Sequence, residues 1–151
     1  MQRNSQKGFT LIELLTVVST LMVLASVSIQ TFREYKAKAA YTVALRSHHD
    51  ARGALEASFA QPDAVFADVS STQRAPGPLS DANARALLSA LRIPKNLRFS
   101  VEHTQTCIDS SCIQTYIEAK HCNGLEYVAW TRFGDGLEIL QERVAGGGCD
   151  V

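Results

Sequence analysis

The stretch KGFTLIELLTVVSTLMVLASVSI, residues 7–29, decides the fold of this chain. From position 9 to position 29 it holds 21 residues with a single ionisable side chain, Glu13. As an α-helix with a rise of about 1.5 Å per residue, this run is about 31 Å long, close to the hydrocarbon core of a bilayer at about 30 Å. The sequence therefore predicts a helix that can span a membrane.

The residues before this run predict its orientation. Residues 1–8 carry two basic side chains and no acidic one. The positive-inside rule keeps that end in the cytoplasm and places everything after residue 29 on the other side, in an oxidising space. A secretory signal peptide would have a shorter apolar region ending at a small-residue cleavage site, and it would not usually contain a carboxylate such as Glu13. We therefore expect a single membrane pass.

The overall composition excludes other classes of protein. The chain has 151 residues, with 15 basic and 15 acidic side chains and 46% hydrophobic residues. A formal charge of zero argues against a general nucleic-acid binder and against a disordered chain. The average hides an uneven distribution, because residues 33–56 carry eight charged side chains. Residues 1–8 contribute Arg3 and Lys7 to the basic total, so the rest of the chain has 13 basic side chains against 15 acidic ones.

The run KGFTLIELL at residues 7–15 resembles the N-terminal signature of type IV pilins and the related pseudopilins. The resemblance implies that a prepilin peptidase cleaves between Gly8 and Phe9 and methylates the new N-terminus at Phe9. Glu13 would then be the fifth mature residue, where the family has its acid. Residues 1–8 are accordingly expected to be a leader peptide, and residues 9–29 a transmembrane and assembly helix.

Physical reasoning independent of this resemblance also indicates a functional role for Glu13. A charged carboxylate inside a spanning helix is costly and is a functional candidate by default. Cleavage after Gly8 would create a positively charged α-amino group at Phe9, which can pair with it. The resemblance implies that this pair forms between neighbouring subunits during assembly. The alternative is that Glu13 lies close enough to the cytoplasmic interface to snorkel into water.

A helical rhythm continues beyond the membrane segment, over residues 30–60. One face consists of Ala37, Ala40, Tyr41, Ala44, His48, Ala51, Leu55, Ser58 and Phe59. No proline occurs before Pro62, so we expect a single helix over residues 9–60, with residues 30–60 as its amphipathic continuation. Half of this helix would lie in a membrane or filament and half against a soluble head.

The second half of the predicted helix is similar to type IVa pilins at Phe32, Tyr35, the KAAY run at 38–41 and the ALEASFA run at 54–60. Two positions depart from that pattern, because Met22 and Gln30 stand where such pilins commonly have glycine and proline. Without proline the helix lacks its usual source of a kink. The family's filaments show local unwinding of the helix in this region, and this chain lacks the glycine and proline that usually accompany it.

Residues 61–151 are expected to form a globular head. The proline-containing stretch at 61–80 predicts an ordered loop that wraps the helix. Ser80 and Asp81 then offer an N-cap for a helix that ends before Pro94. The apolar side chains of this helix, which are most simply core, are Ala84, Leu87, Leu88 and Leu91.

Four strands are predicted after this helix, at residues 97–104, 113–119, 126–133 and 137–142. Alternation points Leu97, Phe99, Val101, Ile113, Thr115 and Ile117 inward, and Gly134-Asp135-Gly136 supplies the last hairpin turn. Trp130 is expected to pack on the helix or at the sheet edge. The predicted class is α+β, the pilin fold, in which one long N-terminal helix packs on an antiparallel sheet of about four strands.

All four cysteines follow the predicted helix: Cys107, Cys112, Cys122 and Cys149. An even count outside the cytoplasm indicates disulfides, and three pairings are possible. We favour Cys107 with Cys112, because the four residues between them would close a hairpin. The remaining pair, Cys122 with Cys149, resembles the C-terminal disulfide loop of many pilins.

The chain gives little support for a metal site, a cofactor or catalysis. His103 and His121 lie near two of the cysteines, but no Cys-x2-Cys spacing of a zinc site occurs. Asp109, Asp135 and Asp150 lack the spacing of a calcium loop and are better read as turn residues. No phosphate loop, nucleophile elbow or His-Glu-x-x-His helix is present. We expect neither metal nor cofactor and no enzymatic activity.

The leading hypothesis is a structural subunit of a type IV pilus. The resemblance implies storage in the inner membrane with a cytoplasmic N-terminus, processing by a prepilin peptidase, and assembly by the pilus machinery into a homo-oligomeric helical filament at the cell surface. The alternatives are a minor pilin, a type II secretion pseudopilin, or a pilin that recognises a surface or DNA. The tail at residues 146–151 has no basic residue, so it does not favour nucleic acid as a partner. The task of the filament, such as motility or adhesion, stays open.

Overall fold

The long apolar run forms the first part of a helix that continues into the head. The computed structural model describes residues 8–61, 66–104, 112–146 and 149. The chain divides into two compact units, Met1–Tyr35 and Lys36–Val151. The helices are α1 (Leu11–Phe59) and α2 (Ala82–Leu87), and the strands are β1 (Val69–Gln73), β2 (Gly77–Pro78), β3 (Arg92–Ile93), β4 (Leu97–His103), β5 (Ile113–His121), β6 (Glu126–Phe133) and β7 (Glu138–Ala145).

Helix α1 is the single long helix that the sequence predicts. It runs without a break through Met22 and Gln30, as expected when neither glycine nor proline weakens the backbone ladder there. In the second unit its buried residues lie on one face: Ala40, Tyr41, Ala44, Ser47, His48, Ala51, Leu55 and Ser58. This face is the one predicted from the helical rhythm, with Ala37 and Phe59 half-buried at its ends.

Five strands form an antiparallel sheet in the order β1, β4, β5, β6, β7. The predicted α+β class, a long helix with an antiparallel sheet, is confirmed, and β4 to β7 are the four strands expected from the sequence. The sheet has one strand beyond the sequence estimate of about four, because β1 lies in the stretch assigned to a loop. Its sequence, VSSTQ, is mostly polar and lacks the apolar alternation that marks the other strands.

Gln73, at the end of β1, orders the proline-rich segment that follows it. Its side-chain Nε2 donates hydrogen bonds to the carbonyl oxygens of Ala75 at 2.8 Å and Pro78 at 3.0 Å. Its Oε1 accepts a hydrogen bond from the N–H of Ser80 at 2.7 Å. One buried amide thus satisfies three backbone groups, and β2 then pairs with β3 as a small second sheet.

Helix α2 is present but shorter than predicted. Asp81 is its N-cap, and its Oδ1 accepts a hydrogen bond from the N–H of Ala84 at 2.7 Å. The helix ends at Leu87, and Ala90 takes a left-handed backbone conformation, with φ 68°, before the chain enters β3. The leucines of this stretch are nonetheless core residues: Leu87, Leu88 and Leu91.

The core of the second unit combines the α1 face with the inner face of the sheet. Inward side chains of β4 to β6 are buried: Leu97, Phe99, Val101, Thr115, Ile117, Ala119, Val128 and Trp130. Each large apolar side chain contributes about 1.5 to 3 kcal/mol by leaving water. Ile113, predicted to point inward, is instead 48% exposed, because a register irregularity between Ile113 and Thr115 interrupts the alternation.

Strand β7 is an edge strand that contacts α1 through charged side chains. Arg52 Nη2 lies 3.1 Å from Glu138 Oε2, and the Arg52 guanidinium lies 5.1 Å from the centre of the Trp130 ring. Further along β7, a bulge gives Arg143 a φ of 54° and places its guanidinium 5.8 Å from the centre of the Tyr41 ring. Partly exposed ion pairs of this kind contribute about 0 to 1 kcal/mol.

A disulfide joins Cys122, directly after β5, to Cys149, after β7. This is the pairing that the sequence resemblance suggested for the C-terminal region. It closes a loop over a sequence separation of 27 residues and so attaches the C-terminal segment to the end of β5. Cys112 is also disulfide-bonded, while Cys107, its favoured partner from the sequence, lies outside the described residues.

His48 is a fully buried histidine on the core face of α1. Within the described part of the chain, neither ring nitrogen has a hydrogen-bond partner. Burial lowers the pKa of His48 from 6.5 to about 4, and the nearby charges of His49 and Arg52 act in the same direction. The folded protein therefore holds His48 in its neutral form at neutral pH.

We predict that the fold loses stability as the pH falls from about 6.5 to about 4, and that His48 causes part of this loss. The unfolded histidine binds a proton near pH 6.5, whereas the folded one does so only near pH 4. His48→Leu should reduce the loss in unfolding free energy between pH 7.5 and pH 4.5 by on the order of 2 kcal/mol. Urea unfolding of the full chain in detergent at both pH values measures this change in unfolding free energy.

The matched control is His49→Gln, because His49 is the exposed neighbour of His48. The unfolding free energy of this variant should keep most of its pH dependence. Burial also lowers the pKa of His103 and His121, so part of the dependence should remain after His48 is replaced. If the unfolding free energy of His48→Leu had the same pH dependence as that of the unaltered chain, His48 would not cause the loss of stability, which would contradict the prediction.

Candidate processing and assembly segment

Gly8 and Phe9 lie in an exposed segment directly before α1. Residues 8–10 have neither helical nor strand structure, and Phe9 is 88% exposed. Proteolytic cleavage concentrates at exposed backbone outside regular structure. The Gly8–Phe9 peptide bond therefore meets the structural requirement for a cleavage site.

Thr10 and Glu13 cap the first turn of α1 through reciprocal hydrogen bonds. The backbone N–H of Thr10 donates to Glu13 Oε2 at 2.9 Å, and the Thr10 hydroxyl donates to the same oxygen at 2.8 Å. In return, the N–H of Glu13 donates to Thr10 Oγ1 at 3.3 Å. This arrangement is a capping box, which satisfies two N–H groups that the helix leaves without partners. The carboxylate thus has donors within its own chain.

The hydroxyl side chains of the apolar helix are also satisfied within it. Each donates to a backbone carbonyl oxygen three or four residues earlier, at 2.7 to 3.3 Å: Thr16, Ser19, Thr20, Ser26, Ser28 and Thr31. In a bilayer, polar groups need such internal partners because no water is available. With the hydroxyls satisfied, Glu13 remains as the one ionisable side chain among residues 9–29.

The apolar side chains of the first unit are exposed along the helix. Leu11 is 79% and Met22 67% exposed, and every described residue of this unit falls in the exposed class. Soluble monomers rarely expose apolar patches larger than a few hundred Å². Across residues 8–61, 66–104 and 112–146, α1 is the one helix long and apolar enough to cross a membrane, by length and composition. Its N-terminal part needs lipid or other apolar helices around it.

A comparison with known protein families identifies a motif in this segment. Residues 3–29 match the family model of the prokaryotic N-terminal methylation motif. The chain carries a prepilin-type N-terminus. This motif is the hallmark of class III signal peptides of type IV pilins and prepilin-like proteins. A comparison with curated proteins gave no match.

The prepilin-type segment brings together three of the residues predicted from the sequence. Gly8 and Phe9 precede the helix, and Glu13 lies in its first turn. Sequence reasoning missed Thr10, although the Thr-x-x-Glu spacing at 10–13 is itself the signature of a capping box. Pairing of Glu13 with the α-amino group of a processed Phe9 stays a prediction, as do cleavage and methylation.

The histidines considered as metal ligands have structural contacts in the head. His103 Nδ1 shares a hydrogen bond with Thr115 Oγ1 at 3.0 Å, and burial lowers the pKa of His103 against the opposing charge of Asp68. His121 Nδ1 accepts a hydrogen bond from the N–H of Asn123 at 3.1 Å. No group of three or more potential metal ligands occurs among the described residues.

We predict that the capping box sets the stability of the first turn of α1. Thr10→Ala should accelerate hydrogen exchange of the Glu13 amide by about fivefold, because the variant removes the side-chain acceptor of that N–H. Thr10→Ser, which keeps a hydroxyl at this position, is the matched control and should exchange at the original rate. NMR of the uncleaved chain in micelles measures both rates. Equal exchange in all three proteins would contradict the role of Thr10.

Proposed function

We propose that this protein is a structural subunit of a type IV pilus, stored in the inner membrane as a prepilin and cleaved between Gly8 and Phe9. The methylation motif at residues 3–29 carries this proposal, because it supports a type IV pilin-like or pseudopilin protein. The exposed cleavage bond and the exposed apolar helix that follows it agree with such processing.

The apolar helix would serve in two environments. In the precursor, the side chains of residues 9–29 contact lipid, with the N-terminus in the cytoplasm. In the filament, the same side chains contact the helices of neighbouring subunits, so assembly exchanges one apolar environment for another. Contacts between different surfaces of successive copies do not close into a ring, and they generate a fibre.

Glu13 would supply specificity that apolar packing lacks. Cleavage creates a positive charge on the α-amino group of Phe9, and its pairing with Glu13 of a neighbour compensates a charge that is costly in an apolar environment. Before assembly, the hydrogen bonds from Thr10 hold the carboxylate in the first turn. Capping and pairing use the same carboxylate, so a test has to separate them.

A pilus is favoured over a type II secretion pseudopilus by the C-terminal region. The Cys122–Cys149 disulfide encloses a segment like the C-terminal disulfide loop of many pilins. The methylation motif itself is common to both classes of protein. A pilus subunit would leave the inner membrane on assembly and reach the cell surface.

We predict that the charge of Glu13, rather than its capping role, is required for assembly. Glu13→Gln retains an acceptor for the Thr10 donors but removes the charge, so membrane insertion should persist while sheared filament yield falls at least about tenfold. Glu13→Ala, which removes both, should fall as far. Immunoblots of the membrane and sheared fractions measure insertion and assembly.

Glu34→Ala is the matched control, because Glu34 is an exposed acid on the same helix beyond the apolar run. It should assemble like the unaltered chain. Normal filaments from Glu13→Gln, with loss only in Glu13→Ala, would show that the cap matters and would contradict charge pairing.

A further inference from the structure

Two aromatic side chains and one cation lie at the end of the first unit, shortly after the apolar run. Phe32 and Tyr35 are three residues apart, so they are neighbours on one face of α1, and Arg33 lies between them in the chain. Phe32 is 70% and Tyr35 72% exposed, and Arg33 is exposed as well. We call Phe32, Arg33 and Tyr35 the interface belt.

The polar atoms of the interface belt have no partner within the subunit. In the part of the chain that the structure describes, the Tyr35 hydroxyl makes no hydrogen bond and the Arg33 guanidinium makes no ion pair. None of the residues three or four positions from Arg33 is acidic. The adjacent acid, Glu34, is rotated from it by about 100° around the helix axis. Both polar groups are therefore available to a partner outside the chain.

The depth of the interface belt follows from the length of the apolar run. Residues 9–29 form about 31 Å of helix, which fills a hydrocarbon core of about 30 Å. Phe32 and Arg33 then lie about 4.5 and 6 Å beyond Ile29 along the helix axis. A bilayer of about 40 to 45 Å in all has a headgroup region of about 5 to 8 Å on each side of its core. Phe32 and Arg33 therefore fall in the headgroup region.

Tyr35 reaches the same level although its Cα lies about 9 Å beyond Ile29. Side chains of an α-helix point back toward the N-terminus and cover the preceding turn. This direction brings the Tyr35 ring toward the level of Phe32, one turn closer to the hydrocarbon core. All three side chains of the interface belt therefore meet one layer of the membrane.

The chemistry of the interface belt matches that layer. Tyrosine is enriched at membrane–water interfaces, because its ring contacts apolar chains while its hydroxyl stays hydrated. A guanidinium offers its donors in a planar fork that fits phosphate oxygens, and every phospholipid headgroup carries a phosphate. The Phe32 ring adds apolar surface at the boundary between these two environments.

We propose that the interface belt binds the phospholipid headgroup layer on the non-cytoplasmic side and fixes the depth of the apolar helix in the bilayer. The belt follows the exposed surface of residues 9–29 on the same helix, so a membrane that covers this surface also contacts the belt. The Gly8–Phe9 bond, about 35 Å from Phe32, then lies near the opposite headgroup layer. This proposal rests on the membrane storage that the proposed function includes, and it names the residues that end the span.

The fluorescence of a single tryptophan measures the depth of the interface belt. The full, uncleaved chain would carry Tyr35→Trp together with Trp130→Phe, which removes the only native tryptophan, in vesicles of phosphatidylethanolamine and phosphatidylglycerol. Bromine atoms near the headgroup end of the acyl chains should quench this tryptophan at least about twofold more than bromine atoms near the chain ends, because the ring lies at the interface.

Two matched controls in the same Trp130→Phe background bracket this result. Leu21→Trp lies near the middle of the apolar run and should be quenched more by bromine near the chain ends. His49→Trp replaces an exposed residue of the second unit and should respond to a water-soluble quencher but to neither brominated lipid. Quenching of Tyr35→Trp that matches either control would overturn the proposal.

A neighbouring helix is the competing partner for these aromatic side chains. If neither brominated lipid quenches Tyr35→Trp and its emission maximum shifts with the protein-to-lipid ratio, the interface belt contacts the helix of a second copy. That outcome would also overturn the proposal. Quenching that is the same at low and high protein-to-lipid ratios is the result expected for a lipid contact.

A second measurement uses the unaltered chain, so it does not depend on how the tryptophan variants fold. Solid-state NMR in the same vesicles should show dipolar coupling between lipid phosphorus and one arginine guanidinium carbon, and Arg33→Gln should remove that signal. Arg46→Gln is the matched control, because it removes an exposed arginine further along α1 and should leave the coupled signal in place. A coupled signal that persists in Arg33→Gln, or no coupling at all, would contradict the role of Arg33.

These outcomes are independent of filament assembly. If Tyr35 and Arg33 report the headgroup layer but cells neither cleave the Gly8–Phe9 bond nor assemble filaments, the proposed function fails and the interface belt stands. If filaments form and the belt residues report a different depth, only the interface belt is overturned.

Discussion

The exposed apolar surface of the first unit is the constraint on which the account depends. Residues 9–29 are poorly suited to water, because their large apolar side chains are all exposed along the helix and soluble monomers rarely expose extended apolar patches. Its hydroxyls are satisfied by its own carbonyls, which makes it suited to lipid and to contact with other helices. This segment therefore needs lipid or other apolar helices around it, and the prepilin-type motif at residues 3–29 fits membrane anchoring of a prepilin.

The second unit uses the same helix for a different purpose. Its face from Ala40 to Ser58 packs on the inner side of the sheet, where Leu97, Phe99 and Val101 are buried. Apolar packing secures β4 to β6, whereas β7 contacts α1 through Arg52 and Arg143. One continuous helix thus exposes an apolar surface over its N-terminal part and packs one face into the core of the second unit over the rest.

Much of this arrangement could be predicted from the sequence, because it follows from periodicity. The helical rhythm identified the core face of α1, and alternation identified the inward residues of β4. Strand β1 escaped prediction because VSSTQ pairs through its backbone and has little apolar pattern. Helix α2 ends at Leu87 because Leu88 already leaves the helical backbone conformation, with φ −115° and ψ 62°. The capping role of Thr10 was visible in the spacing of Thr10 and Glu13.

The N-terminus of the protein in material sheared from cells tests the central claim most directly. Mass spectrometry of the N-terminal peptide should find a chain that begins at Phe9 and carries one added methyl group on its α-amino nitrogen. An intact Met1 terminus on that material, or cleavage at any bond other than Gly8–Phe9, would contradict the account.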